Sequence, residues 1–171
     1  MPRRYVKRLR YNKDKYSIEQ TNFQSTTVGN WSVVSAPDEF TVDSFQYNTI
    51  ITAPTDTQGM RKVKHLTLSI ANVGTTDSNL LMYAIVYVPA GYDVQPIRFP
   101  AAGLSTNNYT ANQFVMMSGL IDFSAGPNRI RCPLARNLNS GDSIYLVLAV
   151  PQTTTGSLQV IGQISYAITL Q

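Results

Sequence analysis

The feature that most constrains this chain is the alternation of apolar and polar side chains in "SLQVIGQISYAITL", near its C-terminus. Every second position from Leu158 to Leu170 is apolar or glycine, and most of the intervening positions are polar. Successive side chains of a β-strand point to opposite faces of its sheet, whereas a helix needs a period near 3.6. The spacing therefore predicts a strand that is buried on one face.

Seven further segments carry β signals, and hardly any stretch has helical periodicity. Two of them, "LLMYAIVYV" and "DSIYLVLAV", are apolar on both faces, which is typical of central strands covered on both sides. In "RKVKHLTLSIANV", Leu66, Leu68 and Ile70 are expected to point inward, with the polar residues between them pointing outward. The remaining predicted strands are "YSIEQTNFQ", "EFTVDSFQY", "QFVMMSGLIDF" and "NRIRCPL".

The connections between these segments are rich in Gly, Pro, Asn and Ser, which seat turns. Short strands at such spacings are typical of an antiparallel sandwich or barrel. The longest irregular piece, about residues 89–112, is expected to be a surface excursion or a crossover. We predict an all-β fold, a single eight-stranded antiparallel jelly roll (a two-sheet sandwich) over residues 17–171, preceded by an arm over residues 1–16.

The predicted arm, "MPRRYVKRLRYNKDKY", carries seven of the chain's 14 basic residues and one of its 10 acids, or +6. The rest of the chain therefore carries seven bases and nine acids, or −2. Tyrosines are interspersed among the cations, a combination that suits single-stranded nucleic acid because cations meet phosphates and rings stack on unpaired bases. The candidate nucleic-acid-binding residues in this segment are Arg3, Arg4, Tyr5, Lys7, Arg8, Arg10, Tyr11, Lys13 and Lys15.

Two other interpretations of the arm stay open. The stretch "PRRYVKR" is also a pattern that a nuclear import receptor can bind, and a basic tail can be merely solvated. A second basic group, Arg61, Lys62 and Lys64, begins a predicted strand, and Lys62 and Lys64 share one face by the period of two. Such a group either contacts nucleic acid or keeps a strand edge soluble.

The sequence offers little material for catalysis or for binding a cofactor. His65 is the only histidine and Cys132 the only cysteine, and no nucleophile elbow, phosphate loop or zinc motif accompanies them. We therefore expect no enzyme activity, metal or cofactor, and a buried structural thiol at Cys132. No run of 18 apolar residues exists, so no membrane insertion is expected.

In order and character, most of the chain resembles the capsid protein of circovirus-like viruses, the circular single-stranded DNA viruses that encode a replication initiator. The resemblance rests on the short basic arm, on "YSIEQTNF", on "RKVKHLTLSI", on "LLMYAIVYV" followed by proline, and on the final "ISYAITLQ". It implies a jelly roll that assembles into a T=1 shell of about 60 copies. It also implies that the arm binds the DNA genome without sequence preference or carries a nuclear signal, with the virion and the host nucleus as locations and an unknown host-cell receptor.

Two other classes of protein fit parts of the pattern. A cellular jelly roll that binds carbohydrate or protein would use the tyrosines and amide of the long loop, Tyr92, Asn107 and Tyr109, but would leave the arm without a role. A cupin-type enzyme needs a cluster of metal-binding histidines, which a single histidine does not supply.

Overall fold

The protein is described here from a computed structural model, which covers residues 16–25, 32–33, 40–41, 46–52, 60–74, 80–95, 97, 111–150 and 159–169. Within these ranges the chain forms β-strands and turns. The strands are β1 (Tyr16–Ser25), β2 (Ser32–Val33), β3 (Phe40–Thr41), β4 (Gln46–Thr52), β5 (Arg61–Asn72), β6 (Leu80–Val88), β7 (Phe114–Asp122), β8 (Asn128–Arg131), β9 (Arg136–Leu138), β10 (Ser143–Ala149) and β11 (Val160–Thr169).

Two antiparallel sheets carry the fold. One has the order β1-β11-β5-β8, with β9 also paired to β5, and the other has the order β4-β10-β6-β7. Strands from the two ends of the chain pair with each other, and further pairs follow toward the middle of the chain. These pairs are β1–β11, β4–β10, β5–β8 and β6–β7. This is a long antiparallel ribbon rolled up on itself, which is the jelly-roll arrangement. The predicted all-β, two-sheet fold is therefore confirmed.

The eight predicted segments correspond to the eight strands of this ribbon, with three short additions. The segment "EFTVDSFQY" forms the two-residue β3 and only the start of β4, which continues to Thr52. Strands β2 and β9 were not predicted, because two or three residues show no periodicity. Tyr16, assigned to the arm, is instead the first residue of β1 and pairs with Thr169.

The core lies between the two sheets and is built from the inward faces predicted for β5 and β11. Leu66, Leu68 and Ile70 are at most 2% exposed, and Val160 and Ile164 of β11 are equally buried. Within β11, Gly162 lies opposite Phe23, whose ring occupies the space that a side chain at position 162 would need. The close approach of the Phe23 ring explains why glycine stands in the middle of this strand.

A second apolar cluster covers the outer face of the other sheet, as the two-sided apolar strands predicted. Ile97, from the long connection after β6, belongs to one buried cluster with Val86 and Val147. The connection is held by a pair of hydrogen bonds: the Gln95 backbone N–H donates to Gln113 Oε1 at 2.7 Å, and Gln113 Nε2 donates to the Gln95 carbonyl at 3.0 Å. The face of β6 and β10 that points away from the core is thereby removed from solvent.

A buried carboxylate ties the second sheet to the turn before β10. Asp142 is 3% exposed and accepts three hydrogen bonds, from the Tyr87 hydroxyl at 2.7 Å, the Asn139 N–H at 2.7 Å and the Ala90 N–H at 3.0 Å. Burial and the hydrogen bond to this carboxylate raise the pKa of Tyr87. The bond from the Asn139 N–H is local to the turn, whereas the bonds from Tyr87 and Ala90 link two distant parts of the chain.

Candidate nucleic-acid interface

The outer face of the five-stranded sheet carries most of the basic side chains in the described part of the chain. The two predicted lysines of β5, Lys62 and Lys64, lie on this face, because Val63 between them points into the core. Lys62 is exposed and Lys64 is half-buried. The prediction that these two lysines share one face is confirmed by this arrangement.

A β-bulge turns the lysines outward. Strict alternation would place Lys62 and Lys64 on the same side as Leu66 and Leu68, in the core. Instead His65 has a φ of 56°, and the pairing with β11 slips by one residue between Ser165 and Ala167. The extra residue in β5 moves the side chains before the bulge to the opposite face of the sheet. Histidine is among the residues that tolerate this left-handed conformation better than most. The bulge therefore decides that these cations face outward.

Two arginines of β8 join the lysines on the same face. Arg129 pairs with Ser69 and Arg131 with Thr67, and directly opposite residues in an antiparallel pair point to the same side. Both arginines are exposed, whereas Ile130 between them packs against the core. We call the set Lys62, Lys64, Arg129 and Arg131 the basic row.

The two arginines of the basic row were absent from the sequence-based candidates. The signal that could have found them is the alternation Arg-Ile-Arg-Cys in "NRIRCPL", which puts both guanidinium groups on the polar face of a strand. Their neighbours on β5 are some 60 residues earlier in the chain, so only the strand order shows that the arginines and lysines share a surface.

The predicted arm joins the sheet beside this row. Tyr16 begins β1, and the Lys64 Nζ atom lies 3.5 Å from the centre of its ring, a cation–π contact. The backbone N–H of Lys62 donates to the Thr169 hydroxyl at 2.9 Å, next to the Tyr16–Thr169 pair. Tyr16, the first described residue of the predicted arm, therefore contacts Lys64 of the row.

No acid lies on this face among the described residues. The one carboxylate in the described strands of the sheet, Glu19, is opposite Tyr166 and has the parity of the inner face. Its Oε2 atom accepts a hydrogen bond from the Tyr166 hydroxyl at 3.1 Å. Burial, together with the nearby Glu19 charge, raises the pKa of Tyr166 to about 12. The charge of the basic row is thus not neutralised from within its own sheet.

Arg61 is separated from the row. It lies opposite the buried Leu138 and therefore has the inward parity, and its Nε atom is buried without a hydrogen-bond partner among the described residues. A polar pocket of about 480 Å³ lies at the same end of the sheet, lined in part by Lys62, Arg136 and Asn139. The Arg136 guanidinium is stacked 4.1 Å from the centre of the Tyr87 ring. Two cations therefore line this pocket.

At the other end of the row a groove of about 580 Å³ crosses the sheet. Its lining includes the outward side chains Asn22, Gln24, Ser69, Ala71, Ile161 and Gln163. Gln163 Nε2 donates to Asn22 Oδ1 at 3.1 Å across the β1–β11 pair. The surface of the groove is mostly apolar, with Ile161 and Pro127 beside the amides, and Ser69 connects it to its partner Arg129.

The candidate residues of the predicted arm lie outside the described residues, and their nucleic-acid role stays a prediction. They are Arg3, Arg4, Tyr5, Lys7, Arg8, Arg10, Tyr11, Lys13 and Lys15.

Several residues considered at the sequence level are placed by the structure. Cys132 is buried at 1% exposure, and burial raises the pKa of its thiol, so the prediction of a buried thiol is confirmed. His65 is exposed on the bulge. Tyr92 is 51% exposed on the long connection, whereas Asn107 and Tyr109 lie outside the described residues.

No group of three or more His, Cys, Asp or Glu side chains within the described ranges could hold a metal ion. No helix in those ranges is both long and apolar enough to cross a membrane.

Comparison with known proteins assigns no family. No family model matches the chain, and no curated protein matches it. Among solved structures, that of infectious bursal disease virus Gt strain is similar, at a TM-score of 0.47 and 12% identity, over 94% of this chain and 34% of that one. The VP2 subviral particle of the same virus is similar at a TM-score of 0.22 and 10% identity, over 92% of this chain and 42% of that one. The chain thus spans well under half the length of these proteins, and similarity at this level does not establish a relationship.

Proposed function

We propose that this protein is a viral capsid protein, a structural protein rather than an enzyme, that self-assembles into a small closed shell of about 60 copies. In this proposal the basic arm packages a circular single-stranded DNA genome, and the same arm serves as a signal for nuclear import. The virion and, during assembly, the host nucleus are its locations.

The observation that carries the proposal is the place where the arm meets the sheet. The +6 segment precedes Tyr16, and Tyr16 contacts Lys64 of the basic row. We propose that the arm and this face hold their positive charge on the same side of the subunit. A shell subunit that holds a polyanion on one side needs such a polarity, whereas a carbohydrate-binding module has no use for it.

Charge arithmetic limits what the arm does by itself. About 60 arms of +6 would neutralise roughly 360 phosphates, at one charge per nucleotide of a single strand. A genome of ordinary coding length has more phosphates than that. The remaining charge must be balanced by small cations or by basic residues of the subunit body, so the arm tethers and condenses the strand more than it neutralises it.

The arm is tested by replacing Arg3, Arg4, Arg8 and Arg10 with alanine in the full chain. Phosphate contacts give salt-dependent affinity without base identity, so the unmodified chain should bind unrelated single strands about equally. The four substitutions should weaken the salt dependence of binding by about 2.8 in log–log slope, at about 0.7 per contact. Fluorescence anisotropy with several unrelated oligonucleotides measures both. Strong preference for one sequence, or an unchanged slope of affinity against salt concentration, would contradict packaging by the arm. Either result would favour the nuclear-import or the solvated-tail interpretation.

A further inference from the structure

We infer that the basic row on the outer face of the five-stranded sheet is a second nucleic-acid-binding surface, on which Arg129 and Arg131 hold phosphates of a single strand together with Lys62 and Lys64. This inference rests on the proposed packaging function and adds to it a surface in the subunit body. The arm then delivers the strand to a face that continues to bind it.

The positive charge of the basic row is uncompensated on its own face. Four cations lie on one face, and the other described positions of that face are uncharged. Neither Arg129 nor Arg131 has a carboxylate partner among the described residues. Within each pair, Lys62 with Lys64 and Arg129 with Arg131, the like charges are two residues apart on one face and repel each other. A bound polyanion would offset this repulsion, because its phosphates attract each of the cations.

The spacing of the cations along the row suits the phosphates of a single strand. Side chains at positions i and i+2 of a strand are roughly 6.6 Å apart, which applies to each pair, Lys62 with Lys64 and Arg129 with Arg131. Along β5 the row extends from Lys62 to the position of Ser69, opposite Arg129, a length of about 20 Å. A stacked single strand advances about 3.4 Å per phosphate, so the row has room for about six nucleotides. Each cation would then meet roughly every second phosphate of a strand laid along it.

The ends of the row fit the same partner. At one end the arm enters beside Tyr16, whose ring is held under the Lys64 ammonium group. At the other end the groove lined by Asn22 and Gln163 begins next to Arg129's partner, Ser69. Amide side chains hydrogen-bond to base edges or to phosphates, and the groove gives unpaired bases a place beside the backbone. A single strand therefore finds phosphate contacts and room for bases on one continuous surface.

Edge protection is the alternative explanation for the arginines, because β8 is the last strand of its sheet and charged edges resist aggregation. Edge protection requires charge of either sign and no ligand. Nucleic-acid binding requires positive charge on this face in particular. The two explanations therefore differ in what a negative charge placed beside the arginines should do.

The test uses the full chain and a fluorescein-labelled oligo-dT of about 20 nucleotides, titrated between about 50 and 200 mM salt. The variant Arg129→Gln/Arg131→Gln should bind about 25-fold more weakly at 0.1 M salt, with the slope reduced by about 1.4, because two contacts of about 0.7 are lost. The charge-preserving variant Arg129→Lys/Arg131→Lys should retain nearly all of the affinity. An arm variant with the same charge change, Arg3→Gln/Arg4→Gln, lies far in sequence from Tyr16 and reports on the arm.

A second pair of variants leaves both arginines in place. Ser69→Glu sets a carboxylate directly opposite Arg129, and should weaken oligonucleotide binding about 5-fold or more at 0.1 M salt through the loss of at least one phosphate contact. Ser118→Glu, at an exposed position of β7 in the other sheet, makes the same chemical change away from the row and should leave affinity within about 2-fold. This pair decides the question if the glutamine variant aggregates.

The outcomes separate the inference from the proposed function. If the Arg129/Arg131 and Ser69 variants bind like the unmodified chain while the arm variant is weakened, the face is not a binding surface and the packaging arm stands. If none of the variants alters binding, the packaging function fails together with this inference. Equal loss of affinity in Ser69→Glu and Ser118→Glu would show that only net charge matters, which also overturns the assignment to this face.

Discussion

Replacement of Asp142 by alanine should be among the most destabilising single changes in this protein. The carboxylate is buried and accepts from the Tyr87 hydroxyl, the Asn139 N–H and the Ala90 N–H, at 2.7, 2.7 and 3.0 Å. The tyrosine hydroxyl is buried, so its loss of a partner costs about 2 kcal/mol. The two backbone groups are part-buried and regain water in part, at about 0.5–1 kcal/mol each. The free energy of unfolding should therefore fall by about 3–4 kcal/mol.

Urea unfolding followed by far-ultraviolet circular dichroism measures this loss from the shift in midpoint at constant slope. Tyr87→Phe keeps the ring under Arg136 and removes only the hydroxyl, so it should cost about 2 kcal/mol. Ser143→Ala is the neighbouring control, since its hydroxyl makes only a 3.3 Å contact with Thr52, and it should cost less than about 1 kcal/mol. A loss below about 1 kcal/mol for Asp142→Ala would refute the claim that this carboxylate ties the two parts of the chain together.

Two further predictions concern the five-stranded sheet. The pKa of Tyr166 is raised in the fold from its ordinary value of 10.0 to about 12, so its contribution to stability is complete below pH 10 and is lost as the pH rises through 12. Tyr166→Phe should reduce that alkaline loss of stability in urea unfolding at pH values of about 9–12, and an unchanged pH profile would contradict this prediction. Gly162→Ala places a methyl group against the Phe23 ring and 2.8 Å from the Ser69 carbonyl oxygen, so thermal unfolding should show a loss of about 1–3 kcal/mol. Gly119→Ala, which meets only the Tyr83 side chain at 3.2 Å, should lose less, and equal losses would count against the packing explanation.

The fold was largely predictable because hydrophobic periodicity is a local signal. β6 was predicted at the bounds it has, Leu80–Val88, and β11 has the inward face that its alternation indicated. The two-sided apolar strands also predicted correctly that something covers the outer face of β6 and β10. Which residues do so, among them Ile97, could not be predicted, because the contact depends on the path of an irregular connection.

The candidate site was only partly predictable, because it depends on a bulge and on strand order. The same alternation that put Leu66 inward would have put Lys64 inward as well, and only the extra residue at His65 resolves that conflict. The three-residue step between the buried Val63 and Leu66 is the trace of this bulge in the sequence. Arg129 and Arg131 share a face with the lysines because β8 pairs with β5, a strand far earlier in the chain. No local sequence pattern encodes that pairing.

The proposed shell is tested most directly by the mass of the purified full-length protein, measured by size-exclusion chromatography with multi-angle light scattering. A closed particle of about 60 copies of an 18.9 kDa chain has a protein mass of about 1.1 MDa. We expect a peak near that mass, with round particles of uniform size in negative-stain microscopy and nucleic acid in the same peak by its absorbance ratio. A single species of 18.9 kDa across salt and pH, with or without added single-stranded DNA, would contradict the proposal.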